Sequence, residues 1–301
     1  MSNGGSGDIA LSKNQRREAA REKARILREQ QKKKDRRGRF ILQGSIILVS
    51  LAIIATVTLI IVNSIRPPRP GPLNMLSDGI VIGTNFEAET TSALKAGDEP
   101  VASTPDPEMI AIQIWLDYQC PVCDAFETAN SEQLSTLVEQ GIATIEIHPV
   151  AILDSQSLGT RYSTRAANAA ACVANFSPNS FYDFSGLLFE NQPEEGTSGL
   201  TDDELVGISE DAGVSRASRV AECITDQNFK NWVADATQRA VGDSALLNDE
   251  GQFGTPTVLV NGSRYTGAPD DATAFAQFVA AADGAAFSEE NSVSPSPSPA
   301  P

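Results

Sequence analysis

Two of the four cysteines are separated by only two residues, in the stretch Cys120-Pro121-Val122-Cys123. Proline suits the first position of a helix, so the pair is predicted to lie at a helix N-terminus. There, unpaired backbone N–H groups and the helix dipole stabilise a thiolate, which lowers the pKa of Cys120. Cys123 lies one turn further into the helix and is expected to be shielded. The spacing predicts a dithiol that exchanges disulfides, with Cys120 as the sulfur that substrate attacks and Cys123 as the resolving thiol.

Metal binding and haem attachment are two other roles that a cysteine pair of this spacing can have. A zinc site needs four ligands, but Cys172 and Cys223 are isolated and His148 is the only histidine. Attached haem requires a histidine directly after the second cysteine, where this chain has Asp124. The sequence therefore predicts no metal and no cofactor, and an inert short-loop disulfide stays open as the alternative.

The elements around the pair form a β-α-β unit. Residues 109–118 have the pattern of a buried strand, residues 121–140 that of a helix, and residues 142–147 alternate as a strand does. Ile80–Ile82 is a further short strand. Helical patterns then follow at residues 161–175, 180–192, 202–212, 215–226 and 227–247. A strand at residues 257–260, a turn at Asn261-Gly262, a short partner strand at residues 264–266 and a helix at residues 270–282 close the domain. The fold class is α/β, with an all-helical insertion at about residues 159–247.

The N-terminal part of the chain predicts a membrane anchor. Residues 40–62 carry no charge, and 23 helical residues span about 34 Å, enough for a hydrocarbon core of about 30 Å. A cleaved signal peptide is the competing interpretation, but its apolar region would be shorter, about 7–15 residues. Residues 1–39 hold 13 Lys and Arg against 5 Asp and Glu. This excess places residues 1–39 in the cytoplasm and the remainder outside it, in a single-pass protein.

The negative charge of residues 40–301 argues against nucleic acid as a partner. Beyond residue 39 the chain holds 10 Lys and Arg against 34 Asp and Glu. So acidic a body repels phosphate backbones, and no nucleic-acid partner is predicted. Residues 63–72 are a Pro-rich linker, residues 73–284 the folded domain, and residues 285–301 a disordered Ser/Pro tail.

The remaining cysteines predict a structural bridge. Outside the cytoplasm disulfides persist, and assigning Cys120 and Cys123 to the redox centre leaves Cys172 to pair with Cys223. Each lies in a predicted helix of the insertion. Two separate buried thiols are the alternative.

A second motif sharpens the interpretation. Gly254-Thr255-Pro256-Thr257 precedes the predicted strand at residues 257–260, where a proline without a backbone donor belongs. Together with Cys120-Pro121-Val122-Cys123 and its strand and helix, this stretch resembles the DsbA-like branch of the thioredoxin superfamily. The resemblance covers residues 73–284 in the order of elements, but its specificity rests on the two motifs.

The resemblance implies several expectations. Pro256 would be cis and face the cysteine pair, and the backbone of Thr255 would pair with substrate. The activity would be thiol–disulfide exchange on unfolded or reduced exported proteins, through a mixed disulfide, with a membrane or soluble redox partner for recycling. Val122 departs from the histidine that many such oxidases carry, and Ile114 stands where many thioredoxin-like proteins have a buried carboxylate.

Some roles stay open at this point. Asp117 is either structural or a proton carrier, and His148 is expected at the surface or in a turn. Oxidase is favoured because no dimerisation segment of the kind that isomerases use is present, but reductase and isomerase remain alternatives. A tethered binding module of the same fold, without turnover, is a further alternative.

Overall fold

The computed structural model describes residues 21–23, 25–28, 31–34, 53 and 70–291. The chain divides into two units, residues 1–66 and residues 67–301. In the first unit every described residue is helical. The predicted transmembrane segment, residues 40–62, lies outside the described residues apart from Ile53, as does most of the linker. Within the described part, no helix has the length and apolar character needed to cross a membrane.

The second unit is built on one five-stranded sheet. Its strands are, in chain order, β1 (Ile80–Ile82), β2 (Ile110–Leu116), β3 (Ala143–Pro149), β4 (Thr257–Val260) and β5 (Ser263–Arg264). The spatial order is β1-β3-β2-β4-β5. The two central strands, β2 and β3, run parallel, whereas β1, β4 and β5 each pair antiparallel with their neighbour. The mixed sheet thus places β2, which leads into the cysteine pair, beside β4, which follows Pro256.

Helices surround this sheet. They are α1 (Pro121–Glu139), α2 (Tyr162–Phe176), α3 (Phe181–Glu190), α4 (Asp202–Asp211), α5 (Ala217–Thr225), α6 (Lys230–Gly242) and α7 (Ala272–Asn291). The alternation of the strands decides which residues meet α1 and α7. Ile112 and Ile114 of β2 point to one face, where they join the main core with Phe126 of α1 and Phe275 of α7.

The opposite face of the sheet holds a smaller apolar cluster and a buried polar group. Trp115 packs there with Leu259 and with Ala240 of α6. The chain N-terminal to β1 is tied to α6 by Asp78, which accepts bonds of 2.6 and 2.8 Å from the Arg239 guanidinium and one of 3.2 Å from Trp232. This ion pair fixes residues 70–79 against the domain.

His148 lies on this second face, and its expected surface position was wrong. The side chain is buried and stacks on Trp115, with ring centroids 4.2 Å apart. Its Nε2 is 3.5 Å from Glu146 Oε1, and the carboxylate of Glu146 also accepts bonds from Ser77, Ser103 and Gln113. Burial, the largest single effect, raises the pKa of Glu146, but the hydrogen bond and charge of His148 and the bonds from Ser77 and Ser103 together outweigh it and lower the pKa to about 2. The strand alternation that puts Ile147 in the core puts His148 under the N-terminal segment.

The helical insertion is organised around α2. Almost every side chain of this Ala-rich helix is buried, because α3, α5 and α6 pack around it. Cys172 of α2 and Cys223 of α5 are joined by a disulfide, with their Cα atoms 5.8 Å apart. The bridge spans 51 residues of sequence and lies within the insertion.

The C-terminal boundary differs from the expected one. The tail was predicted to begin at residue 285, but α7 continues to Asn291. Alanine and glutamate, which occupy four of the positions 285–290, favour helix and carry it past Gly284. Residues 292–301, with the Ser-Pro repeats, lie outside the described residues.

Candidate active site

The cysteine pair lies where β2 ends and α1 begins. Cys120 is the N-cap residue of α1, with extended backbone angles, and Pro121 takes the first helical position. The Cys120 carbonyl accepts bonds from the backbone N–H groups of Cys123, at 3.0 Å, and of Asp124, at 3.2 Å. Both cysteines are free thiols, with only 6% of Cys120 and 2% of Cys123 exposed. Both cysteines are therefore buried in this turn, Cys123 more completely than Cys120.

Thr255 and Pro256 lie directly against Cys120. The Cys120 Sγ is 3.4 Å from the carbonyl oxygen of Thr255, and the Thr255–Pro256 peptide bond is cis. The sheet register explains the meeting, because Trp115 of β2 pairs with Thr257 of β4. The chain entering β4 must then pass the end of β2, where the cysteines begin. The structure thus brings the two motifs of the sequence together at one point.

The pKa of Cys120 is lowered from 9.0 to about 6. The largest cause is the hydrogen bond from the Cys123 thiol, and hydrogen bonds from the side chain of Thr255 and from the N–H groups of Cys123 and Val122 add to it. Burial acts in the opposite direction but is outweighed. Cys120 is therefore largely thiolate at neutral pH, which makes it both a nucleophile and a good leaving group.

The pKa of Cys123 is raised well above its usual value. Burial is the main cause, and the neighbouring Cys120 adds to it both as a hydrogen-bond partner and as a charge. The pKa values of the two thiols in this turn are therefore shifted in opposite directions. Such a separation assigns the attacking role to one thiol and the resolving role to the other.

The residues between the cysteines face outward. Pro121 and Val122 are exposed, Val122 with 47% of its surface. The valine side chain has no donor and stabilises no thiolate, so its contribution to the site is an apolar surface beside Cys120.

Asp117 has a structural role in this arrangement. Its Oδ1 accepts a bond of 2.9 Å from the backbone N–H of Gln119, and its Oδ2 accepts bonds of 2.8 and 3.0 Å from Ile152 and Leu153. Burial raises its pKa to about 6, although these bonds oppose the shift. The carboxyl ties the loop after β3 to the turn that precedes Cys120.

Two glutamines that the sequence did not single out fix the same turn. Gln192, just after α3, donates to the carbonyl oxygens of Tyr118, at 3.1 Å, and Cys120, at 3.0 Å. Gln119 is fully buried and bonds to the carbonyl of Gln156 and the hydroxyl of Ser163. An isolated glutamine after a helix gives no signal in one sequence, so only the structure reveals this link between the insertion and the redox turn.

Glu127 is a third residue to which the sequence analysis gave no role. It lies on α1, one turn beyond Cys123, and lines a cavity of about 600 Å³ between α1, α3 and the end of α4. Burial and, to a lesser degree, Asp124 raise its pKa to about 7. Among the described residues no cluster of His, Cys, Asp and Glu side chains is arranged to hold a metal ion.

Comparison with known proteins identifies the family. The family model described as Thioredoxin (Thioredoxin_4) matches residues 109–281, more than half of the chain. The chain belongs to the thioredoxin family. No curated protein sequence matches it at a significant level.

Solved structures place the chain more closely within the family. A reduced disulfide bond oxidoreductase (DsbG) from Mycobacterium tuberculosis is 25% identical, with a TM-score of 0.52, over 72% of this chain and 95% of that one. MdbA, a thiol-disulfide oxidoreductase from Corynebacterium diphtheriae, is 18% identical, with a TM-score of 0.51, over 72% of this chain and 94% of the other. Oxidised BdbD from Bacillus subtilis is 17% identical, with a TM-score of 0.50, over 73% and 100%. At 17–18% identity, the last two show the shared fold alone.

This thioredoxin-family protein is DsbA-like. The helical insertion lies between its two motifs, as the sequence predicts for that branch. With both motifs at one site, it is an enzyme of the thiol–disulfide oxidoreductase class.

Proposed function

We propose that this protein oxidises cysteine pairs in exported proteins, with Cys120 as the catalytic thiol and Cys123 as its resolving partner. The observation that carries the proposal is the opposed acidity of the two sulfurs. The pKa of Cys120 is lowered to about 6, whereas that of Cys123 is raised. In a disulfide exchange the sulfur with the lower pKa leaves more easily, which favours release of an oxidised product.

The reaction proceeds in two exchanges. A substrate thiolate attacks Cys120 Sγ of the oxidised enzyme, forming a mixed disulfide and releasing Cys123 as the leaving sulfur. A second substrate thiolate then attacks the substrate sulfur of that bond, and Cys120 leaves as a thiolate. The substrate loses two electrons and gains a disulfide, while the enzyme gains the two electrons as a dithiol.

The direction follows from which enzyme state is stabilised. A thiolate exists only in the reduced enzyme, so every interaction that lowers the pKa of Cys120 favours the reduced over the oxidised form. The Cys123 thiol, Thr255 and two backbone N–H groups all act in this way. A centre whose reduced form is stabilised is an oxidant.

Substrate would bind at the surface beside Cys120. The Thr255 carbonyl lies against the sulfur, and Pro121 and Val122 form an exposed apolar border. An extended peptide that carries a cysteine could pair with the Thr255 backbone and lay an apolar residue on Val122. Such binding would depend on the backbone of the peptide more than on its side chains, which suits unfolded proteins as substrates.

The cellular setting belongs to the proposal as well. The uncharged segment 40–62 and the basic residues before it support a single-pass protein of the cell membrane, with the enzyme domain outside the cytoplasm. There the reduced enzyme must pass its electrons to a membrane or soluble redox partner. No nucleic-acid role is proposed for this acidic domain.

One experiment separates this function from its alternatives. The full-length protein, oxidised and purified in a mild detergent, is mixed with a reduced test protein whose activity depends on its disulfides. Formation of those disulfides in stoichiometric amounts supports an oxidase. Reduction of an insulin disulfide with a dithiol donor, without oxidation, indicates a reductase, and repair of scrambled disulfides alone indicates an isomerase. If none of the three reactions occurs, the protein is a binding module.

A further inference from the structure

The segment that carries Thr255 and Pro256 has little support from the backbone. Residues 253–256 are half-buried, and in the part of the chain that the structure describes no backbone–backbone hydrogen bond involves them. A Cβ added at Gly254 would meet nothing within 4 Å. Yet the carbonyl oxygen of Thr255 lies 3.4 Å from the Cys120 sulfur, a contact that only a well-placed segment can keep. Side chains must therefore hold these residues in place.

Thr257, the first residue of β4, spans this segment with its side chain. Its buried hydroxyl donates to the carbonyl oxygen of Gly254, at 2.7 Å. These two residues flank the Thr255–Pro256 peptide bond, so the hydrogen bond closes a turn around it. Thr257 is itself fixed by the sheet, because it pairs with Trp115 of β2. The hydroxyl thus ties the turn to the sheet.

The guanidinium of Arg264 sets the direction in which that hydroxyl donates. Arg264 lies on β5 opposite Leu259 of β4, and its side chain reaches Thr257 on the neighbouring strand. Its Nη2 donates to the Thr257 hydroxyl at 3.0 Å, and its Nη1 donates to the carbonyl oxygen of Leu246 at 2.8 Å. A guanidinium has donors only, so the threonine oxygen accepts from it. The hydroxyl proton is then left for Gly254.

The bonds of this chain support one another. A hydrogen bond from a charged donor is about twice as strong as one between neutral groups. Donation to the Thr257 oxygen also polarises the hydroxyl, which strengthens its own bond to Gly254. At the other end, Leu246 closes the short helical turn Ser244–Leu246, which the Asp243 carboxylate caps with a bond of 2.9 Å. The guanidinium therefore joins a fixed turn after α6 to the turn beside Cys120.

The position of Thr255 affects the reactivity of Cys120. A hydrogen bond from the Thr255 side chain is one of the causes that lower the pKa of Cys120 to about 6. Hydrogen bonds weaken steeply as their geometry worsens, so a small movement of residues 254–256 would weaken the stabilisation of the thiolate. The bond from Cys123, which has the largest effect, lies within α1 and would remain.

We propose that Arg264 is a positioning residue of the redox centre, whose guanidinium holds Thr255 against Cys120 through the Thr257 hydroxyl and the Gly254 carbonyl. In the described part of the chain it donates to neither cysteine and acts only through the turn. This role rests on the proposed function, because it concerns the thiolate that exchanges with substrate. It extends the site to β5 and to the turn after α6, which carry no motif.

The acidity of Cys120 measures this role without an assay of oxidation. The ultraviolet absorbance of the thiolate is recorded from pH 4 to pH 8 on reduced full-length protein in a mild detergent, and oxidised protein supplies the baseline. In the wild-type protein the midpoint should lie near pH 6. Arg264→Met keeps an unbranched stem but loses the donors. Its midpoint should move towards pH 7, and the thiolate fraction at pH 6 should fall about twofold to fivefold.

Two further variants separate positioning from charge and from stability. Thr257→Val breaks the same chain of bonds but leaves the charge of Arg264 in place, and it should move the midpoint as Arg264→Met does. The double variant should move it no further than the larger single change, because both residues are links of one chain. Arg239→Met is the matched control. Arg239 forms a bidentate pair with Asp78 outside this chain, so its loss should lower stability and leave the midpoint near pH 6.

The outcomes distinguish this role from the proposed function. A wild-type midpoint near the ordinary value of 9.0 would show that the site stabilises no thiolate, and the proposed function would fail. With a wild-type midpoint near pH 6, an unchanged midpoint in Thr257→Val overturns the role of Arg264, since a shift in Arg264→Met alone is an effect of charge. Additive shifts in the double variant, or a shift in Arg239→Met as large as that in Thr257→Val, also overturn it. If Arg264→Met does not fold, Thr257→Val and Arg239→Met still decide.

Discussion

The Cys120 sulfur lies 3.4 Å from the carbonyl oxygen of Thr255, although 135 residues separate them in sequence. The helical insertion fills most of that interval, so the two motifs meet only because β2 and β4 are neighbours in the sheet. The redox centre is therefore assembled by the sheet and presented by α1. A change at Thr255 acts on Cys120 as directly as a change within the cysteine pair.

Replacing each cysteine should have opposite effects on substrate trapping. Cys123→Ser keeps the nucleophile but removes the resolving thiol, so when Cys120 attacks a disulfide of a test protein the mixed disulfide should accumulate. Cys120→Ser should form none and should abolish thiol oxidation. Non-reducing gels of the two reduced variants, incubated with a test protein that contains a disulfide, make the comparison. Equal trapping by both variants would contradict the assigned roles.

The two thiols should also be alkylated at different pH values. Because the pKa of Cys120 is about 6 and that of Cys123 is raised, iodoacetamide should label Cys120 alone at pH 6 to 7. The labelling rate should reach half of its maximum near pH 6. Mass spectrometry of the reduced protein identifies the modified residue. Equal labelling of both cysteines at pH 6 would show that the turn does not separate their acidities.

Glu127 should make the protein less stable as pH rises. Its pKa is raised from 4.5 to about 7 in the folded state, so the native protein holds a proton that the unfolded chain releases. The stability linked to this proton is fully present below about pH 4.5 and is lost as pH rises towards 7. Glu127→Gln should therefore raise the free energy of unfolding by about 1 to 3 kcal/mol at pH 8 and change it little at pH 4.

Urea unfolding at the two pH values tests this expectation. The control is Glu190→Gln, which lies exposed on the same cavity and should change stability little at either pH. Destabilisation by Glu127→Gln at pH 8 would mean that the carboxyl has a stabilising partner.

The Cys172–Cys223 disulfide should contribute to stability and not to catalysis. It closes a span of 51 residues, for which the chain-entropy argument gives about 4 kcal/mol. The double variant Cys172→Ala and Cys223→Ala should lose about that much free energy of unfolding in urea. The folded fraction should still oxidise substrate at the wild-type rate. A stability loss below about 1 kcal/mol, or loss of activity in folded protein, would contradict this.

Much of the fold followed from local patterns. The alternation of residues 110–116 and the run from Pro121 to Gly141 mark β2 and α1 within a residue or two, because buried strands and proline-started helices have strong periodic signals. The strand after Pro256 was equally clear. These are the elements that carry the two motifs, so the centre of the site was visible in the sequence.

The rest depended on contacts between distant residues. His148 was expected near the surface, but the N-terminal segment with Ser77 and Gly79 covers it, and nothing in one sequence shows that cover. The roles of Gln192 and Asp117 likewise depend on which carbonyl or N–H lies opposite. Glu127 could have been found, since its spacing of four from Cys123 is plain. Its cavity, formed with α3 and α4, could not.

The reduction potential of the Cys120–Cys123 pair tests the central claim, an oxidising centre, most directly. The full-length protein is equilibrated with known ratios of reduced and oxidised glutathione, and the fraction of each form is read after acid quenching and alkylation. A Cys120 pKa of about 6 lies between those of thioredoxin, about 7, and DsbA, about 3.5, so the potential should be less negative than about −270 mV and more negative than about −120 mV. A value near −270 mV, that of thioredoxin, would contradict the account and assign the protein to the reductases.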